Sequence, residues 1–324
     1  MGPFFKRRDA SSGAAVASIT PPKKRRRRKL IKGTTIFICL MLLYPIAQFA
    51  IMWFGVNINS ILLTFKEGIT NEFRPADELF FNYETVFMEM ASNSTWQSIY
   101  IASAAYIVLN CFVTLPVSMF FSYFIFKKVY AGGVFKAIFY LPSVLPIVAL
   151  TTVYTLAFQQ SADATGFMGS FFALLGIDTS TWFIGDGAKW MVWVFCFWTG
   201  IGYDVMLMSA AMARIPRELL ESAKMDGISP LKEFFYIVIP LSWPTVTTLF
   251  IFAMLGFFGT YLQPMLLTLG QYDTMTLGLQ IFYEADVPNK VHAATVGLVW
   301  TIIGAPIILG VRTLLNHFFK EVNF

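Results

Sequence analysis

The sequence predicts an all-α integral membrane protein with six transmembrane helices and both termini on the cytoplasmic side. Three observations lead there. Charged residues make up 13% of the 324-residue chain and hydrophobic residues 56%, whereas a soluble domain carries about 25% charged residues. The apolar residues fall in long unbroken runs, and about 20 apolar residues make a helix that crosses a bilayer. Runs without period-two alternation are helices rather than barrel strands. Finally, Lys and Arg sit on alternate sides of the runs, so that one orientation places 20 of the 24 inside.

Taken in order, residues 1–33 form a basic cytoplasmic tail. The stretch SSGAAVASITPP is expected to be disordered, and eleven Lys and Arg, mostly in KKRRRRK at 23–29, precede the first span. Such a run also fits a nuclear-localisation or nucleic-acid patch. An apolar span starting directly behind it favours a topological anchor touching anionic lipid, with no nucleic-acid partner. The polar lead is too long for a cleaved signal peptide. The first span is read at 34–54, followed by an extracytoplasmic segment, 55–98, rich in Phe, Tyr and acid. The sequon Asn93-Ser94-Thr95 lies on that outer segment.

The core, 99–315, holds the other five spans: 99–126, 134–158, 190–213, 245–267 and 291–315. Pro116, Pro142 and Pro146 lie inside two of them, and neighbouring helices can accommodate kinked backbone at membrane depth. A cytoplasmic tail, 316–324, ends the chain. Cys39, Cys111 and Cys196 are spaced for neither a disulfide framework nor a metal site, so they are read as small packing residues; no metal is expected. There is no G-x-x-x-x-G-K-[ST] pattern for nucleotide phosphates.

Between the fourth and fifth spans lies a polar insert, RIPRELLESAKMDGISPLKEF, residues 214–234. Its four bases (Arg214, Arg217, Lys224, Lys232) match its four acids (Glu218, Glu221, Asp226, Glu233). Anionic lipid would call for a basic segment; electroneutrality suits a protein partner of mixed charge. The spacing predicts a short helix starting near Pro216, closed by a left-handed Gly227, then a second helix capped at Ser229-Pro230. Leu219, Leu220 and Ala223 fall on one side, with Arg217, Glu221, Lys224 and Met225 on the other. An ordinary inner loop with helical content fits the pattern too.

Glu221-Ser222-Ala223-x-x-Asp226-Gly227, followed by Phe234, Ile237, Ile239-Pro240 and Pro244, resembles the EAA loop (214–244 here) of binding-protein-dependent ABC importer permeases. It departs from the family pattern at Ser222 and Ile239. The upstream stretch from Trp198-Thr199-Gly200 to Ile215-Pro216-Arg217-Glu218-Leu219 is similar to the carbohydrate-uptake branch, the maltose and glycerol-phosphate type. The resemblance implies a membrane subunit of a sugar importer in the bacterial cytoplasmic membrane. It would pair with a second permease subunit, two cytoplasmic ATPases and an extracytoplasmic solute-binding protein. The chain itself is implied to be no enzyme and to bind no cofactor, ATP and Mg acting at the ATPase. The implied coupling residues are Glu221, Ser222, Ala223, Met225, Asp226, Gly227 and Pro240. The implied pathway lies midway across the membrane, where Tyr203 stands about 16 Å along the helix from Arg214. Its candidates are Tyr203, Gly200, Phe197, Trp198 and Asp204, with Ala253, Gly256 and Phe257 opposite. Asp204 is an acid inside a span, and such acids face cavities or partners. An ion-driven carrier or channel, an importer of another solute, and a membrane-anchored scaffold are the competing classes.

Overall fold

The computed structural model describes residues 32–160, 165–285 and 290–318. The basic tail up to residue 31, Lys320, and 319–324 of the C-terminal tail lie outside the described residues. The described residues are helical, with two isolated bridges (Lys66 to Phe73 and Gln160 to Thr165) and no strand. The chain divides into two units between Val56 and Asn57.

The first unit contains most of helix α1, Thr35–Leu63, which is apolar and long enough to cross a membrane. It is longer than the sequence reading allowed, because Asn57, Asn59 and Ser60 interrupt the apolar run but not the helix.

In the second unit, α2 (Phe81–Ser92) leads to α3, Ser94–Phe126, capped by the Asn93 side chain, which accepts from the Thr95 N–H at 2.9 Å. Next come α4 (Gly132–Val144), α5 (Ile147–Phe158) and α6 (Phe167–Leu174). α7 (Gly185–Met212) and the short α8 (Arg217–Met225) lead to α9, Pro230–Gly259. The second unit ends with α10 (Leu262–Thr268), α11 (Leu277–Ala285) and α12 (Lys290–Phe318). Counting α4 and α5 as one broken span, six segments among the described residues are long and apolar enough to cross a membrane.

Proline marks the break in the third span and the widened stretches of the second and fifth. The third span is not a kinked helix over 134–158: α4 and α5 meet at 107°. Leu145 is extended (φ −75°, ψ 148°), the conformation the ring of Pro146 imposes on its predecessor. Pro116 and Pro240 behave differently. Each follows a π-helical stretch, Leu109–Thr114 or Phe234–Val238, that contains the carbonyl four residues back. The widened register there accommodates a ring that cannot donate and would otherwise clash. As a result α9 starts at Pro230, not near 245, and the expected second helix of the insert is the first turn of the fifth span. That span also ends early: Thr260 is extended, and 262–268 form the separate α10.

Among the described residues four apolar clusters hold the bundle, two of them small: Leu150, Tyr154, Met191 and Phe195, and Tyr106, Val192 and Cys196. Leu115, Met119 and Tyr123 of α3 interlock with Met208 and Met212 of α7 and Phe234, Val238 and Leu249 of α9. Toward the other end, Val86, Trp96, Ile99, Phe257, Leu277 and Val296 join α2, α3, α9, α11 and α12. In lipid such contacts hold by packing rather than by expulsion of water. α4 packs tightly on α7 at Gly202, where an added Cβ would run into the Phe139 carbonyl oxygen. Of the cysteines, Cys111 and Cys196 are buried as packing residues, whereas Cys39 is exposed.

Candidate functional site: the elbow and the midspan cavity

The elbow begins where α7 ends. Pro216 is extended (φ −57°, ψ 133°) and caps α8 from outside its first turn. At the far end, the Ile228 N–H donates to the Ala223 carbonyl (3.1 Å) and the Gly227 N–H to the Lys224 carbonyl (3.0 Å). These are the two bonds of a Schellman closure, with Gly227 in the left-handed region at φ 73°. The corner is therefore fixed by backbone bonds. Ser229 caps α9 with its carbonyl, which takes the Glu233 N–H at 2.9 Å, and not with its hydroxyl.

α8 has one buried side chain, Ala223, and Leu220 packs beside it against the α3–α7–α9 cluster. Leu219, expected on that side, is 42% exposed. Met225 is 88% exposed, and Glu221, Ser222, Lys224, Asp226 and Gly227 are exposed with it. Pro240 lies in the first turn of the α-helical part of α9, past the π stretch.

Among the described residues, one ionic contact anchors the elbow. Glu233 is 2% exposed, and its Oε2 accepts from Lys127 Nζ at 2.7 Å. Lys127 also stands 5.6 Å from the centre of the Tyr123 ring, and the Tyr123 hydroxyl donates to the Pro230 carbonyl at 2.9 Å. Glu233 therefore does not belong to the outward charge pattern: with it paired, the insert shows four bases against three acids. The partners are 106 residues apart in sequence, so no local pattern could have revealed them.

The pathway candidates occupy two helices of the bundle. On α7, Phe197, Gly200 and Asp204 are half-buried, while Trp198 and Tyr203 are exposed. The Trp198 ring lies parallel to Tyr154 at 6.1 Å. On α9, Ala253 and Gly256 are half-buried; Phe257 is buried, 5.0 Å from the Trp300 ring. Gly256 faces Asn110, whose Nδ2 would stand 3.1 Å from an added Cβ. Gly200 lines a cavity of about 300 Å³ together with Asn110, Ser143, Thr199, Thr260 and Gln263. The two helix interruptions, Pro142 to Ile147 and Thr260, border this cavity, which is where non-helical backbone at membrane depth is tolerated. Asn110 and Gln263 are visible in the sequence as amides in apolar runs; Ser143, Thr199 and Thr260 are too ordinary to stand out.

A third cluster was not anticipated. His292, two residues into α12, is 2.7 Å from Glu284 Oε2 through Nδ1 and 2.9 Å from Glu89 Oε2 through Nε2. It ties α2, α11 and α12 together beside the Trp96 ring.

Residues 114–323 match the sequence model of a family described as the binding-protein-dependent transport system inner membrane component. The arabinooligosaccharides transport system permease protein AraP of Halalkalibacterium halodurans is 20% identical over 79% of this chain and 74% of its own. The probable ABC transporter permease protein YurN of Bacillus subtilis is 26% identical over 57% of this chain and 63% of its own. The maltose/maltodextrin transport system permease protein MalF of Escherichia coli is 25% identical over 60% of this chain and 38% of its own, so the match spans well under half of that protein. Among solved structures, a chain of a bacterial ABC transporter involved in the import of the acidic polysaccharide alginate superposes with a TM-score of 0.75 at 18% identity. That alignment covers 89% of this chain and 98% of the other.

Proposed function

The chain belongs to the family of inner membrane components of binding-protein-dependent transport systems, and from that premise we propose that it is the permease subunit of an ATP-driven sugar or oligosaccharide importer. The relatives named for arabinooligosaccharides and maltose support a saccharide substrate. In this reading both termini and the elbow face the cytoplasm, as the placement of Lys and Arg requires. α8 is the coupling helix, and a cytoplasmic ATPase holding ATP and Mg receives its exposed face. A second permease subunit completes the pathway, and a solute-binding protein delivers substrate from outside. A solved relative, the alginate transporter, is described in complex with such a periplasmic protein.

The observation that carries the reading is the elbow's construction. Glu221, Ser222, Met225 and Asp226 stand exposed on a helix whose far end is locked at Gly227. That helix continues through four residues into α9, which Lys127 and Tyr123 fasten to α3. A push on α8 therefore reaches two spans as a rigid displacement. The cavity between Asn110, Thr199, Gly200 and Gln263 offers hydroxyls and amides to a sugar; of the expected pathway residues Gly200 lines it, while Trp198 and Tyr203 are exposed elsewhere on α7.

The deciding experiment is uptake in whole cells with the ATPase co-purified through the permease. Glu221→Lys is expected to insert normally, to lose ATP-coupled uptake, and to release the ATPase. Retention of both by this variant would remove the coupling role. Transport by the purified chain in proteoliposomes without an ATPase would establish an ion-driven carrier instead.

A further inference from the structure

A cavity of about 440 Å³ opens where the end of α3, the start of α4, the end of α7 and α8 come together. Its wall combines two chemistries. Ile125, Phe126, Ile215 and Leu220 form an apolar flank, while Lys127, Lys128, Lys136, Arg217 and Lys224 supply five cations. Among the described residues no carboxylate lines it. Lys127 is committed to Glu233. Lys128, Lys136, Arg217 and Lys224 form no ion pair among the described residues.

These four are not one run of a solvated helix face: they come from a turn and two helices. Lys128 is held in the left-handed conformation at φ 55°, its N–H donating to the Ile125 carbonyl at 3.1 Å. Gathering like charges around one hollow raises their mutual repulsion, and an anion in the hollow offsets it. Beside the hollow, α4 turns Val134, Phe135 and Ile138 outward, each at least half exposed. Such a band at the end of a membrane span faces acyl chains. The site therefore offers cations for a phosphate and an apolar track leading away from it.

We propose that this cavity binds a phosphate-bearing anion, and that its source is the headgroup of an anionic phospholipid of the inner leaflet. Its acyl chains lie along the exposed face of α4. Basic pockets between spans on the cytoplasmic side take anionic headgroups for this electrostatic reason. The assignment rests on the orientation proposed above.

The test uses the purified transporter complete with its ATPase. It is titrated in detergent with dioleoyl-phosphatidylglycerol or dioleoyl-phosphatidylcholine, and retained lipid is counted by native mass spectrometry. Phosphatidylglycerol is expected to be retained about tenfold more tightly than phosphatidylcholine. The double variant Lys128→Gln/Lys136→Gln should bring the ratio close to one; Lys128→Arg/Lys136→Arg should keep it, as should Lys290→Gln at the other end of the bundle. Equal retention of the two lipids, or an unchanged ratio in the Gln variant, overturns the site. Displacement of phosphatidylglycerol by millimolar inorganic phosphate overturns the lipid assignment in favour of a free anion. If the Gln variant does not assemble, the wild-type ratio and the Arg variant decide. A transporter that couples ATP to uptake without the lipid preference loses only this site. Labelling of Lys128→Cys from outside the cell would instead remove the orientation.

Discussion

Gly227 sets the corner of the elbow through one backbone conformation. Its φ of 73° is a conformation that a β-branched residue adopts only under strain, yet open space surrounds its Cα. Gly227→Val is therefore expected to damage the corner and not the packing. Uptake should fall several-fold, while membrane insertion and yield stay near wild type. Gly202 is the opposite case, because its dihedrals are helical and the missing Cβ is what α4 requires. Gly202→Ala should cost about 1–3 kcal/mol by overpacking, read as a lower Tm of the detergent-solubilised complex. The Lys127–Glu233 pair adds a third test. Lys127→Met leaves a carboxylate buried without its partner, and breaking such a pair from one side costs about 3–5 kcal/mol. The double variant Lys127→Met/Glu233→Leu is expected to recover most of that loss in thermal melts.

At the scale of the element, proline decides where helices break and where they only widen. Pro146 breaks the third span because the extended residue before it lets the chain turn by 107°. Pro116 and Pro240 leave their helices continuous through π stretches. The break exposes Ser143 to the midspan cavity, whose polar lining then comes from α3, α4, α7, α10 and Thr260. Asn110→Leu and Gln263→Leu are expected to reduce or re-specify uptake while the ATPase still co-purifies. Loss of the ATPase with either variant would mean that they act through assembly instead. Leu219, Phe257 and Glu233 mark where helical periodicity is weakest as a guide. It gives an angle around the axis but not which neighbours arrive there. Leu219 stays largely exposed, Phe257 meets Trp300, and Glu233 meets a lysine from a distant turn.

For the molecule as a whole, the sequence by itself determined the class of protein, the approximate spans, the placement of Lys and Arg, and the elbow with its terminating glycine. These follow from local quantities: run length, charge between runs, and one residue's conformational freedom. The tertiary structure decided what depends on residues far apart in the chain. It set the 107° break, the continuation of the elbow into the fifth span, the Lys127–Glu233 clasp and the bridging of His292 between Glu89 and Glu284. It also set which polar side chains share a cavity. In an apolar bundle each of these is settled by which neighbour satisfies a buried polar group or fills a gap, and that neighbour has no fixed distance in sequence.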